Sequence, residues 1–298
     1  MVGPEVMGKD TRSASDVTVV IPAKNEAVNL RRLLPELRER YPKFELLVVD
    51  DGSNDDTREV CEACGARVVS LPYSLGNGGA MKTGVRHASN DTLVTMDADG
   101  QHSPEDVARL LEKLDDGYDM VVGARGWRSQ ANAARGVANT VYNWLAGWMV
   151  SQRVADLTSG FRAVRADKFK EFLHLLPNGF SYPTTITMAF FRAGYPLCYI
   201  PIEANRREGK SHVSSLQDGI RFLMIIFRVG TLYSPLKLFL PISVAFGALG
   251  CSYYLYTYLT AGRFTNMSAL LMITSVLVFL IGLVSEQITS LIYQRSDH

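Results

Sequence analysis

Two long runs without a charged side chain close this 298-residue chain. One lies between Lys237 and Arg263 and holds 25 residues; the other lies between Arg263 and Glu286 and holds 22. A helix rises 1.5 Å per residue, so about 20 apolar residues cross the hydrocarbon of a bilayer. Both runs are long enough. Pro241, Gly247, Gly250 and four tyrosines dilute the first, and Tyr253 to Tyr258 fit an interfacial belt at its far end. A helical hairpin buried in a globular core has similar composition, but the length of both runs favours a membrane. The link around Gly262-Arg263 is short, which predicts a hairpin over 235–293 with both ends on one side. Arg221, Arg228, Lys237 and Arg295 flank those ends, and only Arg263 sits in the link. Positive charge stays inside, so the rest of the chain is expected on the cytoplasmic face of a cytoplasmic (inner) membrane, as a multi-pass protein.

Ahead of the hairpin, Ile220, Leu223, Met224 and Phe227 repeat at helical spacing. Residues 213–234 are therefore expected to form an amphipathic interfacial helix, although a helix packed on a soluble domain has the same pattern. Residues 1–16 are polar, carry no apolar stretch after Met1, and read as a flexible tail. Net charge is +1, which removes any bulk electrostatic case for nucleic acid. Cys61 and Cys64 form a C-x-x-C with no second pair to complete a zinc site; one face of a helix explains the spacing.

Between these ends the pattern alternates. Strands are expected at 17–21, 45–49, 66–71, 92–96 and 119–122, and helices at 26–40, 56–64, 78–88 and 105–114. Such alternation implies an α/β domain with a mainly parallel, Rossmann-like sheet and right-handed crossovers. Ligands bind such sheets beyond the carboxyl ends of the strands. Three of those ends carry polar groups. The first is Pro22-Ala23-Lys24-Asn25-Glu26 and the second Asp50-Asp51-Gly52-Ser53, where Asp51 is placed to accept hydrogen bonds from a base or ribose. The third is Asp97-Ala98-Asp99, followed by Gln101. Two carboxylates and an amide oxygen suit Mg²⁺ or Mn²⁺, which take oxygen ligands and share them with substrate phosphates. Acidic turns and helix caps use the same residues. Ser103-Pro104-Glu105-Asp106 has the order of a helix start. Gly76 to Gly79 opens a helix that could approach a phosphate, with Lys82 further along it.

Five segments then occur in a telling order: VVIPAKNEA, LLVVDDGSNDDT, the run Gly76 to Gly84, TMDADGQHSPED and DLTSGFRAVR. Together they resemble family 2 glycosyltransferases of the GT-A fold, and most of all the polyprenyl-phosphate glycosyltransferases such as dolichyl-phosphate mannose and glucose synthases. The resemblance implies a GT-A domain over 17–212 and two substrates: a UDP- or GDP-linked sugar and a polyprenyl phosphate. It implies nucleotide-sugar contacts at Pro22, Ala23, Glu26, Asp51 and Asp97, to which the reading of the helix after Gly76 adds Lys82, and a metal at Asp97, Asp99 and Gln101. It implies acceptor-phosphate contacts at Arg125, Arg135, Arg206 and Ser211, and a catalytic set of Asp99, Asp156, Arg125 and Arg206. A homo-oligomer is compatible with it. His212 stands where a lysine is common, the basic residues between Arg125 and Asn139 fall differently, and the Gln-x-x-Arg-Trp of processive synthases is absent. Asp156 matches the place where relatives acting on hydroxyls keep a base. The expected reaction is inverting transfer of one sugar to a lipid phosphate. Transfer to another lipid hydroxyl, or a non-catalytic membrane scaffold, are the competing expectations.

Overall fold

The computed structural model describes residues 17–125, 133–179, 181–203, 227, 230–231 and 233–294. The expected tail at 1–16 and nearly all of the expected interfacial helix at 213–234 lie outside these residues. By contacts the chain divides into two compact units that interleave along the sequence.

The first unit is built on a seven-stranded sheet in the order β3-β2-β1-β4-β6-β5-β7. Its strands are β1 (Val17–Ala23), β2 (Glu45–Asp50), β3 (Arg67–Ser70), β4 (Thr92–Thr95), β5 (Met120–Arg125), β6 (Arg162–Arg165) and β7 (Leu197–Ile202). β1 pairs in parallel with both β2 and β4, as the alternating sequence requires. β6 is the exception: it runs antiparallel between β4 and β5. The sheet is thus mixed but mostly parallel. Helices cover both faces, so the central strands are apolar on both sides; Val19, Val20, Ile21, Leu47, Val48 and Val49 are fully buried.

The helices are α1 (Ala27–Arg40), α2 (Thr57–Ala63), α3 (Asn77–His87) and α4 (Glu105–Asp115). On α1 the spaced leucines Leu30, Leu33, Leu34 and Leu37 are the buried face. Just ahead of α4, Ser103 Oγ accepts the Glu105 N–H at 3.3 Å, and Pro104 is the N-cap residue. Cys61 is buried on α2, and burial pushes its thiol up to about 12, which leaves it a small core hydrophobe. The short helix α6 (Ala166–Glu171) follows β6.

The second unit contains α5 (Ala133–Val150), the body of α7 (Tyr182–Ala193), and the hairpin helices α8 (Pro235–Ala261) and α9 (Asn266–Gln294). At 27 and 29 residues the hairpin helices reach about 40 Å, longer than a bilayer's hydrocarbon is thick. Gly262 turns the chain in the left-handed region at φ 63°. Only 11% of the most apolar window of either helix is buried. A globular core helix would be mostly buried, so these surfaces are finished for an apolar surrounding. The two helices meet through small and polar groups: Ser243 Oγ donates to Ser275 O and Ser275 Oγ to Ser243 O, both at 2.8 Å. A Cβ on Gly250 would stand 3.2 Å from Leu271 Cβ. Small residues and cross-helix hydrogen bonds are how helices associate where lipid removes the hydrophobic drive.

Polar ties join this hairpin to its own unit. Arg192 on α7 pairs with Glu286 on α9 at 3.0 Å and donates to Tyr233 O. Lys237, in the first turn of α8, donates to Trp148 O, Met149 O and Ser151 Oγ at the end of α5.

Candidate active site

The first two strand ends are laced together. Asn25, at φ 56°, donates its N–H to Ser53 Oγ and accepts the Asn54 N–H on its side-chain oxygen. Glu26 has no cap of its own for α1; its N–H goes to Thr57 Oγ1 at 3.0 Å, and Asp55 accepts the Ala27 N–H at 3.2 Å. The side chain of Glu26 accepts from Asn29 at 2.6 Å. Pro22 and Ala23 are buried, and Ala23 O accepts the Asp51 N–H at 2.8 Å.

Asp51 is 4% exposed, and its carboxylate already has three donors: Ser74 Oγ at 2.6 Å, Leu75 N at 2.6 Å and Gly76 N at 3.0 Å. A carboxylate offers about four lone-pair directions, so a nucleotide hydrogen bond there would be the fourth. The Gly76 to Gly79 run is likewise occupied. Gly79 N donates to Asn178 O at 2.7 Å and Gly78 N to Gly179 O at 3.2 Å. A Cβ on Gly78 would stand 2.1 Å from Pro177 O. At this helix start the Gly78 and Gly79 N–H groups are thus spent on backbone carbonyls and the Gly76 N–H on Asp51. Lys82 Nζ donates to Leu176 O at 3.2 Å in the same neighbourhood.

The third strand end is arranged otherwise. After β4 the chain turns tightly, with Gly100 at φ 70° and the Gln101 N–H on Asp99 Oδ1 at 3.2 Å. Asp97, Asp99 and Gln101 are all partly exposed. The Asp97 side chain keeps 33% of its surface, and its Oδ2 lies 3.6 Å from His102 Nε2. Burial pushes the Asp97 carboxyl up, but the His102 imidazole and the charges of Arg125 and Arg162 outweigh it, so the group is held below the usual carboxylate range. Arg125 is the last residue of β5, on the same carboxyl-end side as Asp97.

Among the described residues no three His, Cys, Asp or Glu side chains cluster tightly enough to hold a metal unaided. The turn instead offers two carboxylates, one of them kept ionised, and a neutral amide oxygen. That donor set fits a hard divalent cation that completes its shell with water and substrate phosphate.

Asp156 belongs to the helical unit. It is 6% exposed, and its Oδ1 accepts both the N–H and the Oγ1 of Thr158 at 3.0 Å. Asn143 on α5 fixes the adjoining backbone through Ala155 O and Leu157 N. Arg206 and Ser211 lie outside the described residues, as does the side chain of Arg135. Sequence reasoning gave no role to His102, Gly160, Phe161 or Arg162, although each stands inside a segment that carried the resemblance.

Residues 18–173 match Glycosyl transferase family 2, and the chain belongs to that family. Residues 234–291 match the GtrB C-terminal hairpin. Among curated relatives, the undecaprenyl-phosphate mannosyltransferase of Micrococcus luteus is 31% identical over 66% of this chain and 87% of its own. The polyprenol monophosphomannose synthase of Mycolicibacterium smegmatis is 28% identical over 66% of this chain and 80% of its own. Glycosyltransferase AglJ of Haloferax volcanii is 27% identical over 80% of each chain. The crystal structure of Mycobacterium tuberculosis glucosyl-3-phosphoglycerate synthase with Mn²⁺, UDP and phosphoglyceric acid shares the fold. It gives a TM-score of 0.56 at 23% identity, over 72% of this chain and 79% of that one.

Proposed function

We propose that this glycosyltransferase moves one sugar from a UDP- or GDP-linked donor to a polyprenyl phosphate, at the cytoplasmic face of a membrane. The observation that carries the reading is the pairing, in one chain, of a family 2 domain with a GtrB-type hairpin. Relatives named for undecaprenyl phosphate and polyprenol monophosphomannose support the acceptor class. The helical unit supports the membrane setting. Val141, Trp144 and Trp148 on α5 are 49%, 68% and 42% exposed, and the end of that helix is bonded to Lys237 where α8 begins. Tryptophans at such a level suit the lipid headgroup region.

The acceptor's phosphate oxygen is ionised near neutral pH and attacks the anomeric carbon. The bond to the nucleotide diphosphate breaks with inversion, and the nucleotide diphosphate leaves. Mg²⁺ or Mn²⁺, held by Asp97, Asp99 and Gln101, would neutralise charge on the departing diphosphate. Arg125 is proposed to orient the acceptor phosphate, with Arg206, Arg135 and Ser211 as its companions. An ionised nucleophile needs no strong base, and the Asx turn that Asp156 makes with Thr158 favours a positioning role over proton abstraction. Pro22, Ala23, Glu26 and Asp51 form the side proposed to take the nucleotide. Lys82, bonded to Leu176 O, is proposed to act on the donor from that helix.

The test is to incubate the purified protein with polyprenyl phosphate and a panel of nucleotide sugars, then identify the lipid product by mass spectrometry. A lipid monophosphate carrying one sugar is expected. Equal glycosylation of dephosphorylated polyprenol would overturn the acceptor assignment. Arg125→Lys should raise the KM for lipid phosphate about tenfold while leaving the donor KM near wild type, because lysine lacks the planar fork.

A further inference from the structure

The segment Ser159 to Arg162 carries no substrate role in the reading above, yet three of its side chains are almost fully buried. Arg162, at 0% exposure, donates Nε and Nη2 to Ser159 O at 2.9 and 2.7 Å. A charged, doubly bonded clamp on a carbonyl three residues back fixes the bend between them. The bend is also tied to the strands on both sides. Thr95 Oγ1, at the end of β4, donates to Gly160 O at 2.6 Å, and the Gly123 N–H of β5 donates to Phe161 O at 3.0 Å.

What this bend presses against is Asp97. A Cβ built on Gly160 would lie 2.8 Å from Asp97 Oδ2, 3.1 Å from Oδ1 and 3.2 Å from Cγ. Both oxygens are nearer than Cγ, so the group turns its oxygen end obliquely toward Gly160. Its edge meets His102, whose Nε2 is 3.6 Å from Oδ2. His102 is 5% exposed and stacks on Phe161, with ring centroids 4.9 Å apart and planes at 17°. Its Nδ1 has no hydrogen-bond partner among the described residues, so Phe161 and Asp97 are what fix the ring.

We propose that Gly160, Phe161 and His102 form a positioning cradle that holds the Asp97 carboxylate in one orientation for a divalent cation. The run Ser159 to Arg162 is then the second half of the metal site rather than a separate motif. The proposal rests on the metal reading given above. Groups that orient a metal ligand are typically worth 10–100-fold in metal affinity. A methyl at 160 must displace the carboxylate, because the backbone beneath it is tied down on both sides.

The experiment is a titration of the full-length protein in detergent with Mn²⁺ alone, following free Mn²⁺ by electron paramagnetic resonance. The variants are Asp97→Asn, Gly160→Ala, His102→Leu and His102→Gln, each checked by circular dichroism. Asp97→Asn should lose the site. Gly160→Ala and His102→Leu should weaken it about 10–100-fold, and His102→Gln, which restores an N–H toward the carboxylate, should stay within about threefold of wild type. If Gly160→Ala does not fold, the difference between the two His102 variants decides. Wild-type Mn²⁺ affinity in both Gly160→Ala and His102→Leu, with loss in Asp97→Asn, would overturn the cradle and leave the metal reading standing. Equal binding by wild type and Asp97→Asn would remove the metal reading, and the cradle with it.

Discussion

Two strand ends in this sheet carry paired aspartates, and they are used in opposite ways. After β2, Asp51 is 4% exposed and takes three donors from the single stretch Ser74 to Gly76. After β4, Asp97 keeps 33% of its side chain open and is held by a bare glycine surface and the edge of an imidazole. The first carboxylate spends three of its lone pairs on building a loop and keeps one for a nucleotide. The second is shaped but left unspent. Composition does not separate Asp50-Asp51 from Asp97-Ala98-Asp99; the donors around each do.

Substitution at both ends should separate them further. The largest effect is expected at the open end. Asp97→Asn and Asp99→Asn should each lower transfer by about a thousandfold, the scale of losing several kcal/mol of charge stabilisation, with the melting temperature moved by about 2 °C or less. Rates that persist in excess chelator would contradict this. At the closed end the balance should reverse. Asp51→Asn puts an amide NH₂ among donors, which costs about 2–3 kcal/mol of stability and lowers the melting temperature by about 5–10 °C. An unchanged melting temperature in that variant would erase the contrast.

The smallest effect concerns Asp55, an exposed neighbour of the closed end. Burial raises its carboxyl, but the hydrogen bonds from Thr57 and Ala27 outweigh this and lower it. A group lowered in the folded state adds stability above its unfolded value, about 3.9, and that stability is lost as pH falls through the folded value. Asp55→Ala should therefore cost about 1 kcal/mol near pH 7, as removing a helix cap does, and almost nothing near pH 2. A gap of the same size at both pH values would show that the capping is not ionic.

Much of this was written locally enough to read. Apolar runs of five or six residues are what a sheet covered on both faces demands, and four leucines at helical spacing name the buried side of α1. The uncharged runs name the hairpin. What stayed hidden depends on distant partners. β6 begins and ends in arginine, so it does not look like a central strand; its first residue is buried with its guanidinium turned back onto Ser159 O. His102 and Gly160 are 58 positions apart, and neither type announces that it will meet the same carboxylate. The packing of Gly78 and Gly79 is hidden for a related reason, since their partners at 178–179 arrive about a hundred residues later. Nor does spacing show that α5 and α7 are grouped with the hairpin by contacts.

The closure of α3 onto that later segment also bears on how loss-of-function variants of this protein would sort. Position 78 tolerates no side chain, because a single methyl would overlap Pro177 O. A genetic screen would score Gly78→Ala and Asp99→Ala as the same null. Only the first is a defect of assembly, and only the first should recover when the cells are grown cold or a chaperone is supplied. Temperature thus becomes a sorting tool: the invariance a screen would assign to position 78 belongs to the joining of two distant stretches of chain, and that assigned to position 99 belongs to chemistry.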